Sequence, residues 1–229
     1  MPCLLIIDAS SSLCSVAINQ GGETVWLTED QPRRHAQRLL PMIDELLADA
    51  GVQRIQIDGI AFGRGPGSFT GIRIATAVAQ GLSLGLDRPV AGISSLESVA
   101  LAVMKETGSE RVLAVMDAHM GEVLWGRLTR DGNVCRVFAE ERVGSPEECL
   151  KDIETFDGVL AGDGLKLMPF IECSQDFAMV RPEAKAMSAI ALEYWNQQSF
   201  GDPIDHSPVY LRQSVAWKKL SEQPSLLKR

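Results

Sequence analysis

The sequence is poor in the residues that build metal centres, disulfide frameworks and nucleic-acid grips. Histidine occurs three times in 229 residues, as His35, His119 and His206, each more than 80 positions from the next. None has the i, i+4 partner that would set two imidazoles on one helix face, so a metal site could arise only by long-range assembly and none is expected. The five cysteines, Cys3, Cys14, Cys135, Cys149 and Cys173, are odd in number and widely spaced. The absence of a C-x-x-C pair excludes a zinc ribbon or dithiol redox motif, and the pattern reads as buried thiols in a reducing compartment. Basic residues are outnumbered, 22 against 30 acidic ones, for a net charge of -8. A chain so charged does not grip nucleic acid by its overall field, and any RNA is expected to be held by a partner. Long apolar runs are also missing. Met1-Pro2 leads straight into Cys3–Asp8 without a cationic n-region, and that run is far too short to span a bilayer. A cytoplasmic location with no membrane contact is the expectation.

What is present is an ordinary globular pattern, 45% hydrophobic. Residues 3 to 9, Cys14–Ile18 and Thr24–Leu27 read as three strands of a β-meander around Ser10-Ser11-Ser12 and Gly21-Gly22. Ala36, Leu39, Leu40, Ile43, Leu46, Leu47 and Ala50 then recur at helical spacing up to a stop at Gly51. A short buried strand, Ile57–Gly63, runs into the turn Gly65-Pro66-Gly67-Ser68-Phe69-Thr70-Gly71, and residues 70 to 86 form a helix rich in small side chains. Residues 183 to 198 form a further helix.

The second half echoes the first. Leu4–Ala9 and Leu113–Ala118 are both apolar strands ending in Asp-Ala, and Asp58–Gly65 matches Asp157–Gly164 at four of eight positions. Two matches in the same order imply duplication. A duplicated unit of β-meander, helix, strand and helix resembles the actin-like ATPase (ribonuclease H-like) fold, and the resemblance implies an α/β class with two duplicated lobes of that type, spanning residues 1–105 and 106–212. Residues 213–229 lose periodicity and turn basic, and are expected to be a flexible tail, with docking as the other reading.

Chemistry could reside at two places. Gly65, Gly67, Ser68, Thr70 and Arg73 lie where a strand enters a helix, a position that collects backbone N–H groups around an anion. The turn is neither a P-loop nor a dinucleotide fingerprint, and a structural turn explains it at least as well. Asp8 with Ser10 could hold hydrated magnesium or a phosphate, or simply cap its turn. Asp117 occupies the equivalent point of the second half and is expected to face Asp8 across a cleft. Asp163, between Gly162 and Gly164, would set negative charge where a nucleotide shelf is needed.

Four segments resemble the TsaB family: Ile7–Ser11, His35-Ala36 with Leu39-Leu40-Pro41, Gly65–Arg73, and Asp117–Val123, with weaker support from Pro208–Arg212. The resemblance implies a non-catalytic scaffold subunit required for threonylcarbamoyl modification of tRNA adenosine next to the anticodon. Such a subunit binds TsaD and TsaE, and meets tRNA only through the complex. TsaD-like proteins bind metal through a His-x-x-x-His pair on a helix; here His35 is followed four residues on by Leu39, so no catalytic residue and no metal is implied. The implied partner interface is the first helix, with His35, Leu39, Leu40, Met42, Ile43 and Leu47, and the same face could pair isolated chains as a homodimer. No cofactor is expected to bind tightly, and ATP or ADP at an interface shared with the partner is the one nucleotide site implied. The rivals are a self-sufficient magnesium-dependent ATPase or kinase of the same fold, and a metallopeptidase-like protein.

Overall fold

A computed structural model of the protein describes residues 1–30, 33–168 and 177–212. Cys173 and the segment 213–229 lie outside the described residues. The chain opens with the expected meander, β1 (Cys3–Asp8), β2 (Leu13–Gln20) and β3 (Glu23–Asp30), followed by α1 (His35–Asp49), β4 (Gly59–Gly65), α2 (Phe69–Leu86), β5 (Val90–Ser94) and α3 (Ser95–Thr107). The second half runs β6 (Arg111–His119), β7 (Glu122–Asp131), β8 (Val134–Val137), β9 (Arg142–Gly144), α4 (Pro146–Glu154), β10 (Val159–Ala161) and α5 (Ala184–Asn196), with short 3₁₀ turns between.

Two sheets result, ordered β3-β2-β1-β4-β5 and β10-β6-β7-β8, with β9 also paired to β7. In each, the first strand of the meander pairs in parallel with the strand that follows the helix, β1 with β4 and β6 with β10. The sequence echo aligns Leu4 with Leu113 and Gly59 with Gly158, yet Leu4 pairs with Gly59 while Leu113 pairs with Leu160. The register has slipped by two residues. An even slip keeps each side chain on its original face, which is why both lobes retain the same inside and outside.

All six residues of β1 are buried because both faces of its sheet are covered. Helices α1 and α2 pack on the outer face through Leu39, Ile43, Leu46, Ala75 and Ala79. Between the two sheets lie α3 and α5, and one continuous core joins Leu4, Ile6 and Ala61 of the first sheet to Val112, Ala114 and Leu124 of the second. The crossing is mutual, since α3 packs on β6 and β7 while α5 packs on β1 and β2. Hydroxyls fix the crossing: Ser15 of β2 accepts the Ala184 amide at the start of α5 (2.9 Å), and Ser98 of α3 bonds both the amide (3.1 Å) and carbonyl (3.1 Å) of Glu183. Helix α3 carries a capping box, Ser94 with Glu97, and is buried nearly all round from Ser95 to Met104. The outer face of the second sheet is closed by α4 and the 163–167 turn through Trp125, Cys149 and Leu165. No helix among the described residues is long and apolar enough to cross a membrane.

The β6–β7 turn is strained. His119 (φ 60°), Met120 (φ 60°) and Gly121 (φ 82°) are all left-handed, and Met120 is exposed. A side chain with a Cβ costs about 1–2 kcal/mol in that conformation. Replacing Met120 with Asn, which tolerates the left-handed region, is expected to raise stability by roughly 0.5–1 kcal/mol, read as a higher urea midpoint. A lower midpoint would mean that the Met120 side chain packs against something.

Candidate functional site

The residues singled out for chemistry lie at the C-terminal ends of β1, β4 and β6, in the turns after β1, β4 and β10, and at the start of α2. Asp8 ends β1 with no solvent exposure. Its carboxylate is approached by the Ser10 amide (3.4 Å), and the Gly63 backbone leaves it room: a Cβ on Gly63 would lie 1.9 Å from Asp8 Oδ1 and 3.2 Å from Met187 of α5. Burial pushes the Asp8 carboxyl up to about 7, against the opposing pull of the Ser10 hydroxyl and amide, and Glu183 adds to the rise. The Ser10 hydroxyl is itself buried and makes no aligned hydrogen bond.

The glycines of the 65–71 turn have a steric cause. The Ser68 amide donates to the Ser10 carbonyl (2.7 Å), and the Ser68 hydroxyl caps α2 by accepting from the Gly71 amide (3.2 Å). A Cβ on Gly67 would meet the Ser10 carbonyl at 2.3 Å, and one on Gly71 the Ala9 carbonyl at 1.8 Å. The turn therefore lies directly on the backbone of the β1–β2 turn. Beyond it, Phe69, Arg73 and Tyr210 form an exposed stack, with the Arg73 guanidinium 3.5 Å from the Phe69 ring centre and its Nε donating to the Tyr210 hydroxyl (2.9 Å). Thr70 is exposed beside them.

The second lobe repeats the device. Gly162, at φ 112°, and Gly164 lie against the β6 backbone, where a Cβ would meet the Val115 carbonyl at 2.1 Å and Met116 at 2.6 Å. Asp163 accepts the Asp117 amide (3.1 Å), and its carboxyl is raised chiefly by burial. Asp117 accepts the His119 amide (2.7 Å). The two acids expected to face each other thus sit in separate settings, Asp8 with Ser10 and Glu183, Asp117 with Asp163 and His119. Arg181, which the sequence reading missed, lies between these settings. It donates to Asp30 (2.9 Å) and to the Ser12 hydroxyl, while its buried Nε has no partner among the described residues. Burial raises both the Asp163 and Glu183 carboxyls, and the Arg181 charge opposes each rise. Only its position after an aperiodic stretch distinguishes it in the sequence, which is no usable signal.

The residues of the expected partner face divide by burial. Leu39, Met42, Ile43 and Leu47 point into the core under the first sheet, and His35 is buried with Nε2 3.1 Å from the Leu13 carbonyl. Of the six residues named, Leu40 alone is exposed, at 50%. One apolar stripe covers the chain's own sheet and leaves Leu40 outside it. The unspent surface is on α2, where Ala77, Gly81, Leu84 and Gly85 are exposed. Between α1 and α2 runs a groove of about 280 Å³ lined by Leu40, Leu47, Leu82 and Leu86.

Comparison with known proteins decides the family. The model of the family "TsaD: tRNA N6-adenosine threonylcarbamoyltransferase" matches residues 28–206. The chain is 38% identical to the tRNA threonylcarbamoyladenosine biosynthesis protein TsaB of Haemophilus influenzae, over 95% of this chain and 96% of that protein. It belongs to the TsaB family. The TsaB of Escherichia coli K12 is 37% identical over 95% of this chain and 97% of its own. Two solved structures from Pseudomonas aeruginosa share the fold. One is described as an uncharacterized protein with similarity to peptidase YeaZ (TM-score 0.84, 40% identity, 93% of this chain and 100% of that one), the other as YeaZ (TM-score 0.82, 38% identity, 92% and 100%). Among the described residues of this TsaB family member, the two sheets and five α-helices fit the actin-like two-lobe type expected from its duplicated sequence. Among the described residues, no group of three or more His, Cys, Asp or Glu is placed to hold a metal ion.

Proposed function

We propose that the chain is a non-catalytic scaffold subunit in cytoplasmic tRNA threonylcarbamoyladenosine biosynthesis, binding TsaD and TsaE and meeting tRNA only through their complex. The family relation supports the pathway. One observation carries the scaffold role: the acid at the first strand turn is sealed under Gly63 and Met187, while an outer helix exposes small and apolar side chains. His35 supports the same reading. A carbonyl 3.1 Å from Nε2 requires that nitrogen to carry a proton, and Leu39, at the position of a second ligand, is a core residue. Any ATP or ADP is assigned to an interface shared with a partner, beside Ser68, Thr70 and Arg73.

The partner face is α2. A glycine inside an exposed helix costs roughly 0.5–1 kcal/mol relative to alanine, and nothing lies within 4 Å of a Cβ built on Gly81 or Gly85. Retaining two such glycines beside Ala77 suits the close approach of a second helix. Gly81→Ala is expected to leave the isolated chain unchanged or slightly more stable. Gly81→Trp keeps the fold, yet weakens capture of TsaD by at least about tenfold, ~1.4 kcal/mol. Unaltered capture by both Gly81→Trp and Gly85→Trp would remove α2 from the interface. Reconstitution tests the role itself: the chain alone makes no modified tRNA, and TsaD makes it only when the chain is added. Magnesium-dependent ATP turnover by the purified chain alone would overturn the scaffold reading in favour of the ATPase.

A further inference from the structure

A second groove, of about 660 Å³, opens between the end of the described chain and the outer edge of the second sheet. One wall is Tyr210 and Leu211. It is fixed in place, because the Val209 amide donates to the Arg64 carbonyl (2.8 Å) and the Tyr210 hydroxyl accepts from Arg73 (2.9 Å). The other wall is β9 and the start of α4, with Trp125 at the base.

The groove is acidic. Glu140, Glu141, Glu148 and Asp152 line it against Arg142 and Lys151. Three of the four carboxylates are engaged within the fold: Asp152 accepts from Trp125 Nε1 (2.6 Å), Arg127 (3.0 Å) and Arg142 (3.1 Å), Glu141 bonds Ser94 and faces Arg64 at 3.9 Å, and Glu148 accepts the Ser145 amide (2.9 Å) in the capping box of α4. Glu140 and Glu148 are both exposed at the mouth, Glu148 with one oxygen held by the Ser145 amide. Charge of the opposite sign follows directly in the chain. Residues 213–229 carry Lys218, Lys219, Lys228 and Arg229 against the single acid Glu222, on a molecule whose net charge is -8.

We propose that this groove is the docking site of the chain's own residues 213–229. Leu211 already forms its wall, so the segment starts at the groove, and the six residues from Leu211 to Trp217 reach at most about 20 Å. That places an aromatic residue within range of the Trp125–Tyr210 half, and Lys218-Lys219 within range of Glu140 and Glu148. The ion pairs formed at such a rim are salt-sensitive, and they select the occupant more than they hold it.

Hydrogen exchange on the full chain, and on a chain stopped after Arg212, tests the proposal. Amides of residues 140–152 are expected to exchange about fivefold faster in the shortened chain and in the full chain at high salt, while β1 and β4 are unaffected. Glu140→Lys with Glu148→Lys in the full chain reproduces the loss, and adding Lys218→Glu with Lys219→Glu restores protection. Equal exchange in the full and shortened chains overturns the proposal, as does a fourfold variant no better protected than the double one. Protection that arises only on raising the concentration, or on adding a partner, assigns the groove to that occupant and overturns it equally.

Discussion

Replacing Asp8 with Asn is expected to stabilise the protein above neutral pH by several kcal/mol, and to flatten its stability between pH 4 and 8. Asp8 has no exposed atom, and burial carries its carboxyl from an ordinary 3.8 to about 7 in the folded chain. A group raised on folding favours the folded state most when protonated. Its contribution is fully present below pH 3.8, falls by about 1.4 kcal/mol per pH unit above that, and is lost once pH passes about 7. The loss sums to an order of 4 kcal/mol at pH 8. An asparagine keeps an oxygen for the Ser10 amide and carries no charge to bury, so its stability lacks this slope. Urea unfolding of both chains at pH 4 and pH 8 checks it, with the variant gaining at pH 8 and nearly equal to the parent at pH 4. Parallel curves would mean that the carboxylate is compensated when charged. Magnesium that stabilises the parent and not the variant would identify the compensating ion, and would select the magnesium reading of Asp8 that the sequence leaves open beside a phosphate or a turn cap.

That expectation shows which parts of the molecule a sequence can express. The meander, α1, β4 and α2 follow from periodicity and punctuation, since Gly21-Gly22 and Gly51 mark ends that the backbone itself requires. The duplication was legible because the strands and turns that recur carry side-chain patterns, and only the two-residue slip of β10 on β6 escaped, being a choice between equivalent faces. Helix α3 was not legible. It is covered on both sides, so its apolar residues have no stripe, and its Ser94–Glu97 capping box is the one local signal. The ambiguity of the α1 face has the same origin. Apolar spacing on α1 says that one side is buried without saying against what, and Leu39 and Ile43 turned out to face their own sheet. Gly81 and Gly85 carry the opposite information, a cost with no visible return inside the chain. The burial of Asp8 depends on Met187, 179 residues away in sequence, and no local reading contains it.

Gly71→Ala is expected to cost at least about 3 kcal/mol, the heaviest penalty of any glycine substitution in α2. Taken as helix propensity alone, the change should help by up to about 1 kcal/mol, since alanine is the best helix former. Sterics decide otherwise. The new methyl would lie 1.8 Å from the Ala9 carbonyl oxygen, and that atom belongs to backbone which cannot swing aside as a side chain would. Relief requires the start of α2 to lift off the β1–β2 turn. Lifting breaks the Ser68 amide bond to the Ser10 carbonyl and opens the lid over Ser10 and Asp8. Gly67→Ala meets the Ser10 carbonyl at 2.3 Å and shares the mechanism. Gly85→Ala, with open space over it in the same helix, is the control and is expected to be neutral or stabilising. A thermal melt of the three variants separates the causes. If Gly71→Ala and Gly85→Ala melt together, the turn is not seated on the Ala9–Ser10 backbone, and the glycines need another explanation such as an anion. If Gly71→Ala alone collapses, the nonamer that marks the family is there because two loops cross at van der Waals distance, and its glycines are the consequence of that crossing.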